Sequence, residues 1–137
     1  MSANYIVVGN IGSGKDSVAE YLSERYGFEH VSISAKLRSW VSAEGLDINR
    51  QTLRAFADRM RHESQDALAR RVLKELVLQE GVKYVVTGVR TPDEYEAMRE
   101  GLSGEVYGLW VEVGEDERLR RISLRNKRGE AVNTETF

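Results

Sequence analysis

Tyr5, Ile6, Val7 and Val8 form an unbroken apolar run that ends at Gly9. A short run of this kind, without polar alternation, predicts a strand buried on both faces of a parallel sheet. From Lys15 the period changes. Val18, Leu22 and Tyr26 recur at helical spacing, and Gly27 stands where a helix would end. Residues 28–33 predict a second strand and residues 34–40 a short helix leaving it. Leu53, Phe56, Ala57 and Met60 then fall at i, i+3, i+4 and i+7, and Ala69, Val72, Leu73 and Leu76 repeat the pattern after a polar break over residues 62–66. Two helices are expected there.

Residues 84–88 form the next β-rich run. Thr91, Pro92 and Glu94 follow it as a helix start: Thr91 to cap, Pro92 at the first helical position and Glu94 to close a capping box. Tyr95, Met98 and Leu102 make that helix's inner face. Residues 106–113 predict a fourth strand, with Gly108 inside it, and residues 115–128 a last helix. Strands alternating with helices predict an α/β fold with a mostly parallel sheet and right-handed crossovers. No repeat, linker or low-complexity tract interrupts the pattern, so residues 1–137 are expected to form one domain.

Composition narrows the class. The chain has 137 residues, 41% hydrophobic and 31% charged, which suits a single core. Its 20 basic and 22 acidic residues leave a net charge of -2, so the general basic bias of a nucleic-acid binder is missing and no nucleic-acid partner is expected. Any anion site must be local. Without cysteine there is no disulfide, thiolate nucleophile or cysteine zinc site, which suits the reducing cytoplasm. No apolar run approaches the roughly 20 residues of a membrane span, and the first residues lack the basic region of a signal peptide.

The candidate chemistry lies between the first strand and the first helix. Gly9, Gly12 and Gly14 would let successive backbone N–H groups converge on a phosphate chain, while the next helix presents its positive end. Lys15 would reach along the phosphates, as in the pattern G-x-x-x-x-G-K-[ST]. Asp16 departs from that pattern at the position of the Mg²⁺-binding hydroxyl. It would hold Mg²⁺ through water or favour the helix N-terminus by its charge. Gly9, Asn10, Ile11, Gly12, Ser13, Gly14, Lys15, Asp16 and Ser17 are the candidate nucleotide site.

These residues, with Tyr26-Gly27-Phe28, Leu37-Arg38 and Val86-Thr87-Gly88-Val89-Arg90, resemble the nucleoside monophosphate kinase superfamily. The resemblance is to adenylate-kinase-like, dephospho-CoA kinase-like and deoxynucleotide kinase-like proteins. It implies a P-loop three-layer sandwich that lacks the usual C-terminal strand, an acceptor region over about residues 34–80 and a lid over about residues 115–130. It further implies ATP and Mg²⁺ as cofactors and a small-molecule phosphate acceptor, first a nucleoside or deoxynucleoside monophosphate and second dephospho-CoA. Carried over by position, Ser34, Arg38 and Arg90 would bind the acceptor, Lys15, Arg90 and Arg121 would act in catalysis, and Arg118 and Arg125 would contact ATP from the lid.

Arg118, Arg121, Arg125 and Arg128 share one face of the last predicted helix, the pattern of a solvated stripe as well as of a lid. Arg54, Arg61, Arg70 and Arg71 could also face the acceptor, but arginines on amphipathic helices are usually solvated; His30 and His62 read as structural or exposed, and Trp40 and Trp110 as packing residues, with Trp40 near enough to Arg38 to border the acceptor. Two further departures from the superfamily stand out. Ala35 occupies a position that is often acidic, and Thr87 one that often carries the aspartate supporting Mg²⁺. Asp16 and Thr87 together suggest a swap, in which the carboxylate near the metal has moved from the strand end to the glycine loop. A missing edge strand would expose its neighbour's ladder, a route to homo-oligomers. The rival classes are a nucleotide-binding protein without turnover and a nucleotide hydrolase.

Overall fold

The computed structural model describes residues 3–9, 14–76 and 81–111. Four strands, β1 (Ala3–Gly9), β2 (Glu29–Ser32), β3 (Tyr84–Thr87) and β4 (Glu105–Val111), form one parallel sheet in the order β2-β3-β1-β4. Five helices cover it: α1 (Lys15–Tyr26), α2 (Ile33–Ala43), α3 (Arg50–Glu63), α4 (Ala67–Glu75) and α5 (Pro92–Gly101). The expected α/β class and parallel sheet are therefore present. The expected helix over residues 115–128 lies outside the described residues.

Strand alternation divides the core in two. Ile6 and Val86 point to one face and pack with Val31, Trp40, Val41, Phe56, Leu68, Val72 and Met98 beneath α2 to α5. Val7 and Val85 point to the other face, where they meet Ala19 and Phe28 beside α1. Each such fully buried aliphatic side chain contributes about 1.5–3 kcal/mol. The sheet is thus buried on both faces at its centre, as the unbroken apolar runs require.

Register is fixed at the amino edge by a polar side chain. The fully buried Asn4 accepts from the Tyr84 N–H at 2.9 Å and donates to the carbonyls of Ser103 and Glu105 at 2.7 and 3.3 Å. Its amide ties β1 to the start of β3 and the start of β4. A buried amide is tolerated when its groups are satisfied in this way.

The helix ends follow local chemistry. Gly27, at φ 75, ends α1 through N–H bonds to Leu22 and Ser23 carbonyls. Ser32 caps α2 through Ala35 N at 3.2 Å, so the helix starts directly after β2 and runs to Ala43, longer than expected from the pattern. Thr91 and Glu94 form the expected capping box on α5, with Pro92 at its start. Gly108 leaves room for Tyr95, whose hydroxyl would lie 2.5 Å from any added Cβ.

Three expectations from the pattern are corrected. Tyr26 is exposed and meets Tyr21 edge-on, while the small Ala19 fills the inner face of α1. Trp110 is 62% exposed on β4, an edge strand of the described sheet, and is not a packing residue. Trp40 is one: it stacks on Phe56 and donates its indole N–H to Glu75 at 2.7 Å. His62 lies within α3 and not in the break, because the helix continues to Glu63.

Candidate nucleotide and phosphate site

In a parallel sheet the carboxyl ends of all strands share one edge, and ligands bind beyond it. β1 ends there at Gly9, β2 at Ser32 and β3 at Thr87, and the candidate residues sit on the turns that follow. Gly14 is the N-cap of α1 at φ 91, a left-handed conformation open to glycine at little cost. Lys15 is the first helical residue, and its ammonium turns back to donate to the Gly9 carbonyl at 3.3 Å. The side chain therefore lies across the strand-to-helix turn. Asp16 and Ser17 come next and are exposed. Among the described residues no side chain caps this helix, and Asp16 adds its charge in the first turn. Asn10, Ile11, Gly12 and Ser13, like Arg118, Arg121 and Arg125, lie outside the described residues.

The second wall is built where β3 ends against α2. Gly88, at φ 94, lies so close to the start of α2 that an added Cβ would stand 3.1 Å from Ile33 Cβ and 3.3 Å from the backbone nitrogens of Ile33 and Ser34. A larger residue there would push the two turns apart. Ser34 is half-buried in the first turn of α2, and Arg38, one turn on, is exposed. Arg90 follows Gly88. It is exposed as a whole residue, yet loss of solvation around its guanidinium is the first cause holding it below its ordinary value, and the like charge of Arg61 is the second. Glu94 and Asp16 pull the other way. Glu94 lies on α5 and Asp16 in the first turn of α1, and the strands that precede α1 and the Arg90 turn, β1 and β3, are neighbours in the sheet.

Arg61, which the sequence reading did not favour, and Glu94, which it read as a capping residue alone, organise this wall. Glu94 is fully buried, and its Oε1 accepts from the backbone N–H groups of Arg90 and Thr91, both at 3.1 Å. Both Glu94 oxygens accept from Arg61 Nη2 at 3.4 Å. Arg61 is 21% exposed and not a solvated helix arginine. The pattern offers a partial signal, which becomes specific only when α3 and α5 are brought together. Arg61 lies one turn after Ala57 on the apolar stripe of α3, and Glu94 one turn before Met98 on that of α5. Arg71 is likewise turned inward, 4.4 Å over the Trp40 ring. Arg54 and Arg70 do pair with Asp58 and Asp66 at the surface.

Thr87 is buried at the end of β3 and bonded to His30 Nε2 at 2.8 Å. His30 therefore has the structural role expected, and the Thr87 hydroxyl is engaged on the β2 side. Among the described residues no three of His, Asp and Glu gather to hold a metal alone. Mg²⁺ in phosphate sites takes one or two carboxylates plus phosphate oxygens and water, so the exposed Asp16 carboxylate at the start of α1 fits that donor set.

The AAA domain model matches residues 6–137, nearly the whole chain. The chain belongs to the AAA domain family. This AAA domain is similar to the adenylate kinase of Mycoplasmopsis pulmonis, at 27% identity over 128 residues, 91% of this chain. It spans 59% of that protein's length. Among solved structures it resembles a candidate kinase of Chloroflexus aurantiacus (TM-score 0.66, 17% identity, 93% of this chain and 69% of that one). It also resembles a gluconokinase of Sinorhizobium meliloti (0.54, 17%, 98% and 70%) and a sugar kinase of Janibacter sp. (0.51, 19%, 97% and 80%). The AAA domain thus has the P-loop fold of kinase-like proteins. No helix among the described residues is long and apolar enough to cross a membrane.

Proposed function

We propose that this chain is an ATP-dependent phosphotransferase acting on a small anionic acceptor, first a nucleoside or deoxynucleoside monophosphate and second dephospho-CoA. The observation that supports the reading is that Lys15 and Arg90 lie just beyond the carboxyl ends of two adjacent strands, β1 and β3, with the Asp16 charge acting on Arg90. A donor-phosphate lysine and an acceptor-side arginine on adjacent turns are what phosphoryl transfer needs, because its catalysis is mainly positioning and charge stabilisation.

When bound, ATP supplies the γ-phosphoryl group and Mg²⁺ neutralises charge between the phosphates. The N–H groups at the start of α1 would face the phosphate chain, and the Lys15 ammonium would leave the Gly9 carbonyl for the phosphate oxygens. The Asp16 carboxylate would orient the metal's water. Arg90 would place the acceptor's anionic group, with Ser34 and Arg38 on the α2 side. The lid roles of Arg118, Arg121 and Arg125 belong to the same proposal.

A second reading has its own support. Thr87 stands where a carboxylate would assist Mg²⁺, and its hydroxyl is engaged by His30, which favours a nucleotide-binding protein without turnover. The test is ADP formation from Mg·ATP across a panel of nucleoside and deoxynucleoside monophosphates and dephospho-CoA. Acceptor-dependent ADP release that is lost in Lys15→Ala and slowed in Arg90→Ala supports the kinase. ATP binding with no ADP release on any acceptor gives the second reading, and no ATP binding removes both.

A further inference from the structure

We propose that the outer edge of β4 is an interface on which a second copy of this chain pairs antiparallel, about a two-fold axis at Gly108, so that the two four-stranded sheets join into one. The inference stands apart from the kinase reading.

The two edges of the sheet are built differently. β2, at one edge, has four residues, Glu29 and His30 among them. β4, at the other, pairs with β1 along all seven of its residues and has no strand on its outer side among the described residues. Its sequence from Glu105 to Val111 carries one charge, no lysine and no proline. An edge that must stay alone is usually short, charged or broken by proline, because its free N–H and C=O groups are a template for another strand. Tyr107 and Trp110 are 47% and 62% exposed, and by strand alternation they stand on opposite faces. Tyr107 shares the face of Tyr5, whose ring lies 5.9 Å from its own, and Trp110 shares the face on which Tyr95 covers Gly108.

Self-complementarity names the occupant. Directly opposed residues of an antiparallel pair lie on the same face, so a two-fold axis normal to the sheet must pass through a residue. With Gly108 as that residue all seven positions pair. Val106 then meets the second copy's Trp110 on one face, and Tyr107 meets the second copy's Leu109 on the other. Each of these apolar pairs is made twice, and each covers a half-buried side chain, Val106 or Leu109, with an exposed aromatic one. The two Glu105 carboxylates fall at opposite ends of the paired strands, whereas a parallel pairing in register would set them side by side, a repulsive arrangement. Antiparallel pairing also turns the carboxyl edges of the two sheets in opposite directions, so both glycine turns stay open.

The experiment measures the mass of the whole chain by sedimentation over a wide concentration range. A dimer at high concentration is expected, and Trp110→Lys, a change at an exposed position, should weaken it at least about tenfold while circular dichroism stays unchanged. The chain has no cysteine, so introduced thiols report the register directly. Under oxidising conditions a mixture of Tyr107→Cys and Leu109→Cys variants should yield a disulfide-linked dimer containing one of each. Either variant alone should yield little, because its two thiols sit at diagonal positions. A chain that is monomeric at every concentration overturns the proposal, and protection of the β4 amides from hydrogen exchange in that monomer would assign the edge to a segment of the same chain. A dimer that Trp110→Lys does not weaken and the mixed thiols do not capture overturns it as well. ATP binding should be the same in Trp110→Lys as in the unaltered chain, and its absence from both would remove the kinase reading without touching the interface.

Discussion

Lys15 and the Arg90 turn, which follow the adjacent strands β1 and β3, are held by different means. Lys15 reaches over its own turn to a neutral carbonyl, six residues back in the chain. The Arg90 turn is fixed by a fully buried carboxylate on α5 that is also bound to α3, 33 residues away in sequence. The first arrangement is local and can be given up when phosphates arrive. The second is tertiary and stands ready whether or not a ligand is present. A site that must discriminate an acceptor gains from such preorganisation, whereas a flexible lysine on a glycine turn can follow a phosphate chain.

Removing the preparation should have the largest effect. Glu94→Leu abolishes the capping box and leaves Arg61 without its buried partner, so denaturant unfolding should show a loss of about 3–5 kcal/mol. A loss below about 1 kcal/mol would mean that the acceptor wall is not held by this carboxylate. On the other side, Lys15→Ala should weaken ATP by about 1.5–3 kcal/mol in calorimetric titration while unfolding stability changes by less than about 0.5 kcal/mol. Comparable losses in binding and stability would erase the contrast.

Gly88→Ala tests the seam between the two walls. The left-handed backbone and the 3.1 Å approach to Ile33 predict about 1–3 kcal/mol of destabilisation, with acceptor affinity affected more than ATP affinity. Asp16→Ala should have the smallest effect on stability, about 0.3–1 kcal/mol from the helix dipole. Its sharper outcome is a higher Mg²⁺ requirement for nucleotide binding. Unchanged Mg²⁺ dependence would leave Asp16 a helix charge and nothing more.

Much of the architecture was legible because each element carries its own signal. The apolar runs at residues 5–8 and 84–86, the stripe on α3 and the Thr91-Pro92-Glu94 start all act within a few residues. Lys15 and Arg90 were singled out as candidates in the same way, from a loop and a strand end. What stayed hidden depends on which elements meet. Arg61 looks like any helix arginine until α5 brings Glu94 against it. The expectation for Tyr26 failed because the small Ala19 already fits α1 close to the sheet, and Trp110 because β4 lies at the margin of the described sheet. Thr87 was read as standing where relatives often carry an aspartate, but its hydroxyl's partner was not legible, because His30 lies 57 residues away on β2.

The Asn4 amide at the opposite edge bears on how the chain is made. Its partners lie 80, 99 and 101 residues downstream, so the first strand emerges from synthesis long before its polar side chain can be satisfied. Closing such long loops is entropically costly, and contacts of this separation form late. The glycine turn follows directly on β1, so its scaffold would be completed only when residues through Glu105 are in place. Nascent chains arrested before Ser103 should accordingly remain sensitive to protease and fail to retain nucleotide, and protection already present at that length would show that β1 settles without its amide clamp.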